Sequence, residues 1–296
     1  MLAGTFHDKV IIQLQKLLFM PFVKSVQNSA TPVEIYYEDW GSGKPVVFIH
    51  GWPLDHQMWE YQLTELANQG IRCIAYDRRG FGKSDKPWDG YNYNTMAGDL
   101  KALLDELDLT DVTLVGFSMG GGEIARYFGL YGGARVSKVV LVSAVVPYML
   151  KTDDNPDGTP KEMFDGFVQK LKDDRPGFLD TFGKVFYGVN LIKHPVSSEF
   201  LHWSWRICTS GSPKATIDCI YAFSQTDFRR DAAAINVPTL IIHGDSDKTV
   251  PIDASARQSV RLIPNSKLIE YEGAPHGLFY TEKERLNKDL VEFIRR

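Results

Sequence analysis

Apolar residues in this chain form short continuous runs, separated by stretches where they recur every three or four positions. The runs Glu34–Trp40, Val46–His50, Ile71–Asp77, Val112–Phe117, Val136–Val145, Thr239–His243 and Lys267–Glu272 have the length and β-branched content of buried strands. Between several of them the spacing turns helical. In Asn94–Leu107, for instance, Ala97, Leu100, Leu103, Leu104 and Leu107 share a face. Strands alternating with helices predict a mainly parallel sheet that binds ligands at the carboxyl ends of its strands. The alternation stops from Pro147 to about Arg230. That stretch opens with a polar loop, 151–160, and continues through helix-like segments carrying Phe182, Phe186, Tyr187, Trp203, Trp205 and Phe223. Each aromatic alone fits core packing. Together they suggest an apolar acyl or aryl pocket under a helical cap, with Phe182 and Trp203 as candidate substrate contacts.

One strand carries chemistry at its end. Val112–Phe117 runs into Gly116-Phe117-Ser118-Met119-Gly120, and the helix-like Gly122–Tyr127 follows at once. G-x-S-x-G between a strand and a helix is the spelling of a nucleophile elbow. The strand must turn into a helix within a few residues and hold Ser118 at the apex. Gly116 and Gly120 leave room where a Cβ would collide with backbone. The serine then sits at a helix N-terminus, where free N–H groups favour developing negative charge. The plainer alternative is a glycine-rich turn with a chance serine.

A serine needs a base, and the base needs an orienting acid, in the chain order Ser, Asp or Glu, His. The strand-like Pro238–His243 leads into a polar loop with Asp245 and Asp247. The strand-like Ser266–Tyr271 leads into Gly273-Ala274-Pro275-His276-Gly277. His276 therefore lies in the loop where the base is required. Asp245 comes straight off its strand end and suits loop scaffolding. Asp247 is freer to reach a histidine and is the chosen acid. A histidine base works only when neutral, so turnover is expected to rise through neutral pH.

An oxyanion hole is also required. One donor follows the nucleophile, at Met119. The other comes from His50-Gly51-Trp52-Pro53, after the strand-like Pro45–Ile49. Pro53 has no N–H, which leaves Trp52. His50 fits a loop-bracing hydrogen bond better than catalysis. Asp77-Arg78-Arg79-Gly80 reads as a structural turn with a buried ion pair.

These residues resemble an α/β-hydrolase of the bacterial arylesterase and cofactor-free haloperoxidase (perhydrolase) group. The matching words are H-G-W-P-L-D-x-x-M-W-E at 50–60, A-Y-D-R-R-G-F-G-K-S-D at 75–85, G-F-S-M-G-G-G-E at 116–123, T-L-I-I-H-G-D-S-D-K-T-V-P at 239–251 and A-P-H-G at 274–277. The resemblance implies a mostly parallel central sheet flanked by helices, with a helical cap inserted after the sixth strand. The core is then 21–146 with 231–296, and the cap 147–230. In this group the acid is the second aspartate of G-D-x-D, which supports Asp247. The triad maps onto Ser118, Asp247 and His276, and the oxyanion donors onto Trp52 and Met119. The implied activity is that of a serine carboxylesterase or arylesterase with an acyl-enzyme, which hydrogen peroxide can also attack. No metal or cofactor is implied. Haloperoxidase-like members commonly carry proline after the oxyanion tryptophan, so Pro53 is expected to favour perhydrolysis. A lactonase or γ-lactamase with the same triad stays compatible, as does a non-catalytic receptor on the same fold. Ser118 argues against dehalogenases and epoxide hydrolases, which use an aspartate.

Composition agrees with a globular enzyme. At 296 residues the chain suits one large α/β domain with an insertion. A net charge of −4 with no basic run points to no nucleic acid. Cys73, Cys208 and Cys219 match no disulfide framework or metal motif, which suits a reducing cytoplasm. Cys73 reads as a core residue. Val10–Phe22 is apolar but broken by Gln13, Gln15 and Lys16, too short and polar for a membrane span, and it lacks a signal-peptide cleavage pattern. Residues 1–20 are read as an N-terminal extension, 1–19 as dispensable and Met20 as a candidate start. The partners expected are a small ester or lactone and hydrogen peroxide. Homo-oligomerisation is left open.

Overall fold

The computed structural model describes residues 21–27 and 31–296. The N-terminal extension and Met20 lie outside them. Among the described residues eight strands form one sheet: β1 (Phe22–Ser25), β2 (Val33–Trp40), β3 (Pro45–Ile49), β4 (Arg72–Tyr76), β5 (Val112–Phe117), β6 (Val136–Val142), β7 (Thr239–Gly244) and β8 (Ser266–Tyr271). Their order is β1-β2-β4-β3-β5-β6-β7-β8. The pairings β1–β2 and β2–β4 are antiparallel, and those from β4 through to β8 are parallel.

Every residue of β5 and of β7 is buried, as expected of strands covered on both faces. Fully burying one Val, Leu or Ile contributes about 1.5–3 kcal/mol, so these strands anchor the loops at their ends. β1 was not expected. It has only four residues, and its alternating burial is masked in sequence by the apolar Val10–Phe22 run. Counting it, the departure from the sheet follows the sixth strand. β6 also ends at Val142, earlier than the apolar run to Val145, because Ser143 turns the chain with φ 46°.

Between β6 and β7 lie four helices, Lys161–Phe186, Ser198–Ser210, Pro213–Gln225 and Arg229–Ala233. The first breaks at Asp174, whose φ of −152° is not helical. The Asp174 carboxylate accepts from Gly177 N at 3.0 Å, so it caps a new helix with Pro176 in its first turn. No helix among the described residues is long and apolar enough to cross a membrane. Cys73, Cys208 and Cys219 are unpaired and buried.

The Asp77–Gly80 turn follows β4 and is held from several sides. Asp77 Oδ1 accepts from His56 N at 2.8 Å and pairs with His56 Nδ1 at 2.7 Å, while Oδ2 accepts from Lys83 N at 2.7 Å. The arginines find their anions elsewhere. Arg78 Nε donates to Glu123 Oε2 at 2.9 Å, and Arg79 donates to both oxygens of Asp99 at 2.6 and 2.7 Å. All four of these side chains are buried. Burial pushes the Glu123 carboxyl up, and Arg78 opposes that shift. Arg78 also donates to His50 O at 2.8 Å, and its own N–H donates to His50 Nε2 at 2.9 Å. His50 is thus a brace, as its position in the loop suggests.

Candidate active site

Ser118 closes β5 and caps the helix Met119–Tyr131 with φ 52° and ψ −117°. A non-glycine residue in such a region costs about 1–3 kcal/mol and persists only when its surroundings enforce it. They do so here. Ser118 N donates to Val142 O at 2.9 Å, and Ser118 O accepts from Gly121 N at 3.0 Å and Val145 N at 3.2 Å. A Cβ on Gly116 would stand 2.7 Å from the Gly120 backbone, and one on Gly120 would stand 2.5 Å from Ile49 O. Glycine at both positions is therefore a packing requirement.

The loops after β7 and β8 bring two side chains to this apex. His276 Nε2 is 3.0 Å from Ser118 Oγ, and His276 Nδ1 is 2.6 Å from Asp247 Oδ2. All three residues are buried. The His276 ring stands 4.9 Å from the Phe117 ring and 4.8 Å from the Phe186 ring. Asp247 Oδ1 accepts from Thr249 N at 2.9 Å and Val250 N at 2.8 Å. Burial alone would raise the Asp247 carboxyl. The facing His276 and hydrogen bonds from His243 and His276 outweigh burial and hold it well below the usual carboxylate range. Asp245 has a different task. Its Oδ1 accepts from Gly273 N at 2.7 Å and ties the two loops together.

The loop after β3 approaches from the other side. A Cβ on Gly51 would stand 2.6 Å from the Phe117 ring and 3.0 Å from Ser118 Cβ, so glycine allows the approach. Trp52 and Met119 are both buried. The Met119 N–H is a first-turn donor of its helix, where an intrahelical acceptor is lacking. The Trp52 ring is fixed by an Nε1 bond to Thr216 O at 2.9 Å.

A profile described as alpha/beta hydrolase fold matches residues 44–283. The chain belongs to the α/β-hydrolase family. It is 45% identical to a non-heme chloroperoxidase of Kitasatospora aureofaciens, over 89% of this chain and 97% of that one. It is also 45% identical to a bifunctional esterase/perhydrolase of Acinetobacter calcoaceticus, over 89% of this chain and 96% of that one. The crystal structure of a bromoperoxidase from Bacillus anthracis superposes with a TM-score of 0.89 at 49% identity, over 93% of this chain and all of that one.

In this α/β-hydrolase a narrow pocket lies at Ser118. Trp52, Val145, Met149, Phe164, Phe182 and Phe223 supply much of its apolar wall. A second space, under Pro53 and Leu54, is lined by Phe182, Phe186, Tyr187 and Trp205. Trp203 lines neither and corrects the sequence expectation. It packs on Phe200 at 5.3 Å, because the inward stripe of its helix runs through Phe200, Ser204, Ile207 and Cys208. Sequence reasoning did not single out Phe164, Val145 or Met149 for the pocket. The signal for Val145 and Met149 was the apolar stretch around Pro147, and that for Phe164 the aromatic content of the helix Lys161–Phe186.

Asp55, His56 and Asp77 bring ligand-type atoms within 4.8 Å of one another. Gln57 donates to both Asp55 oxygens, and Asp77 is taken by His56 and Lys83. These groups brace the loop; burial and the facing Asp77 push the Asp55 carboxyl up to about 6.

Proposed function

We propose that this α/β-hydrolase is a serine carboxylesterase for small esters, aryl esters included, and that its acyl-enzyme also accepts hydrogen peroxide. The observation that carries the reading is the unbroken line from Asp247 through His276 to Ser118, at 2.6 and 3.0 Å, beside an apolar pocket.

In this reading Ser118 Oγ attacks the ester carbonyl while its proton passes to His276 Nε2. Asp247 keeps the other ring proton on Nδ1 and stabilises the imidazolium. The Trp52 and Met119 N–H groups hold the oxyanion. The C–O bond to the alcohol breaks, and the alkoxide leaves with the proton from His276. Water then attacks the acyl carbon, gives a proton to His276, and the acid departs as Ser118 Oγ regains that proton. Hydrogen peroxide in place of water gives a peracid by the same proton transfers. The peracid, not the protein, then oxidises halide. Turnover of phenyl acetate with labelling of Ser118 by an organophosphonate tests the reading. A folded protein that neither hydrolyses the ester nor reacts with the phosphonate is a binder instead.

The base must be neutral, so hydrolysis is expected to climb from acid to neutral pH and then level off. A rate falling steadily from about pH 5 to about pH 8 contradicts a histidine base.

Pro53 bears on the choice between water and peroxide. A proline fixes its own φ near −65° and restricts the residue before it, so it sets where the carbonyls of the oxyanion loop point. A carbonyl aimed at the acyl carbon can accept a hydrogen bond from peroxide. Pro53→Leu is expected to lower the ratio of peracid formation to hydrolysis severalfold, with phosphonate labelling of Ser118 intact. An unchanged ratio leaves Pro53 as a loop stiffener only.

A further inference from the structure

His243 lies near the end of β7, two residues before Asp245 and four before Asp247, and is fully buried. Its Nε2 is 2.9 Å from Val250 O and 3.3 Å from Asp247 Oδ2. Both neighbours are acceptors, so Nε2 carries the hydrogen. Nδ1 on the other side of the ring is buried without a hydrogen-bond partner among the described residues. An unsatisfied buried polar atom costs about 1–3 kcal/mol, which a leucine filling the same space would not incur. The position therefore needs what leucine lacks, a donor at Nε2.

We propose that His243 is a positioning residue for Asp247: its Nε2–H, bonded to Val250 O, stands 3.3 Å from Oδ2 as the fourth N–H facing the carboxylate and helps hold Oδ2 in line with His276 Nδ1. A carboxylate offers about four lone-pair sites. Here Thr249 N and Val250 N donate to Oδ1 and His276 Nδ1 is bonded to Oδ2, while His243 Nε2, with its hydrogen bond directed to Val250 O at 2.9 Å, faces Oδ2 at 3.3 Å. With three hydrogen bonds in place and the His243 N–H on the remaining side, Oδ2 has no better partner to swing towards. The partial positive charge of the nearby His243 N–H also draws electron density from Oδ2, so the shared proton stays on His276. The other charged groups nearby are committed elsewhere. Asp245 binds Gly273 N, and Lys248 lines an open surface groove. Glu270, in register with His243 on β8, is bound by Arg257 at 2.6 Å.

This inference rests on the esterase reading, and the experiment separates the two. Full-length His243→Leu, His243→Asn and His243→Gln are compared with the parent for melting, kcat, KM and the pH profile of kcat/KM on phenyl acetate. The Gln amide can reach the place of Nε2, whereas the Asn amide stops near Nδ1. Leu and Asn are expected to lose about tenfold or more in kcat at unchanged KM, the size of one hydrogen bond to a charged group. Without the fourth donor Oδ2 is more basic and holds protonated His276 more strongly, so the acid limb moves up by about half a pH unit. Gln is expected to restore both the rate and the limb. If Leu fails to fold, the Asn and Gln pair decides. Folded variants lacking the donor that keep the parental kcat and acid limb overturn the proposal. A parent that does not hydrolyse the ester overturns the esterase reading instead.

Discussion

Replacing Ser118 with alanine is expected to abolish ester hydrolysis, by about 10³-fold or more, and to leave the melting curve in place. The site acts as a unit: without Oγ there is no acyl-enzyme, whatever else remains. His276→Ala should be as severe, because Oγ then keeps its proton. Asp247→Asn should also be severe, since an amide cannot both accept from His276 Nδ1 and keep the pattern of donors around Oδ1 and Oδ2. Asp245→Asn should act mainly through stability, for Asp245 binds the Gly273 backbone and not the imidazole. Rates on a phenyl ester, with circular dichroism as the folding control, check the set. If Asp245→Asn kills turnover in a folded protein and Asp247→Asn does not, the acid has been misassigned.

The second large effect is on stability. Glu123→Gln leaves the Arg78 guanidinium buried without its anion. Removing one partner of a buried pair costs about 3–5 kcal/mol, because the remaining charge is uncompensated. For a domain of this size that is a fall in Tm on the order of 10 °C. The damage should reach the site as well, since Arg78 also holds His50 O, one residue before Gly51. Calorimetry on the variant reads the first effect. A Tm within a degree or two of the parent would falsify the view that this pair holds the oxyanion loop to the helix behind the serine.

The geometry of the candidate site was legible because each side chain sits directly past a strand that advertises itself. Val112–Phe117 and Thr239–Gly244 are continuous apolar runs, and the residues after them are fixed in space once the sheet forms. Phe182 could be picked from its aromatic neighbourhood, but Trp203 could not be told from Trp205. A shift of two positions rotates a side chain by more than half a turn of the helix, and only packing reveals which face is inward. The partners of Arg78 and Arg79 were equally hidden. Glu123 and Asp99 come from distant helices, and nothing local pairs them with the turn. His243 was passed over for the opposite reason. It closes the strand-like run Thr239–His243, and nothing in the sequence sets it apart from that run.

β6 and β7 are neighbours in the sheet, with Val139–Val142 directly paired to Thr239–Ile242. The 96 intervening positions are therefore not threaded through the sheet, and its hydrogen bonds would close without them. Four of the pocket aromatics, Phe164, Phe167, Phe182 and Phe223, come from that one stretch, whereas Ser118 comes from the sheet side. In the esterase reading, the reacting groups and most of the pocket's aromatic wall thus lie in separate passages of the sequence. On that reading, exchange of a single contiguous cassette is expected to redirect the ester preference without rebuilding the reactive centre.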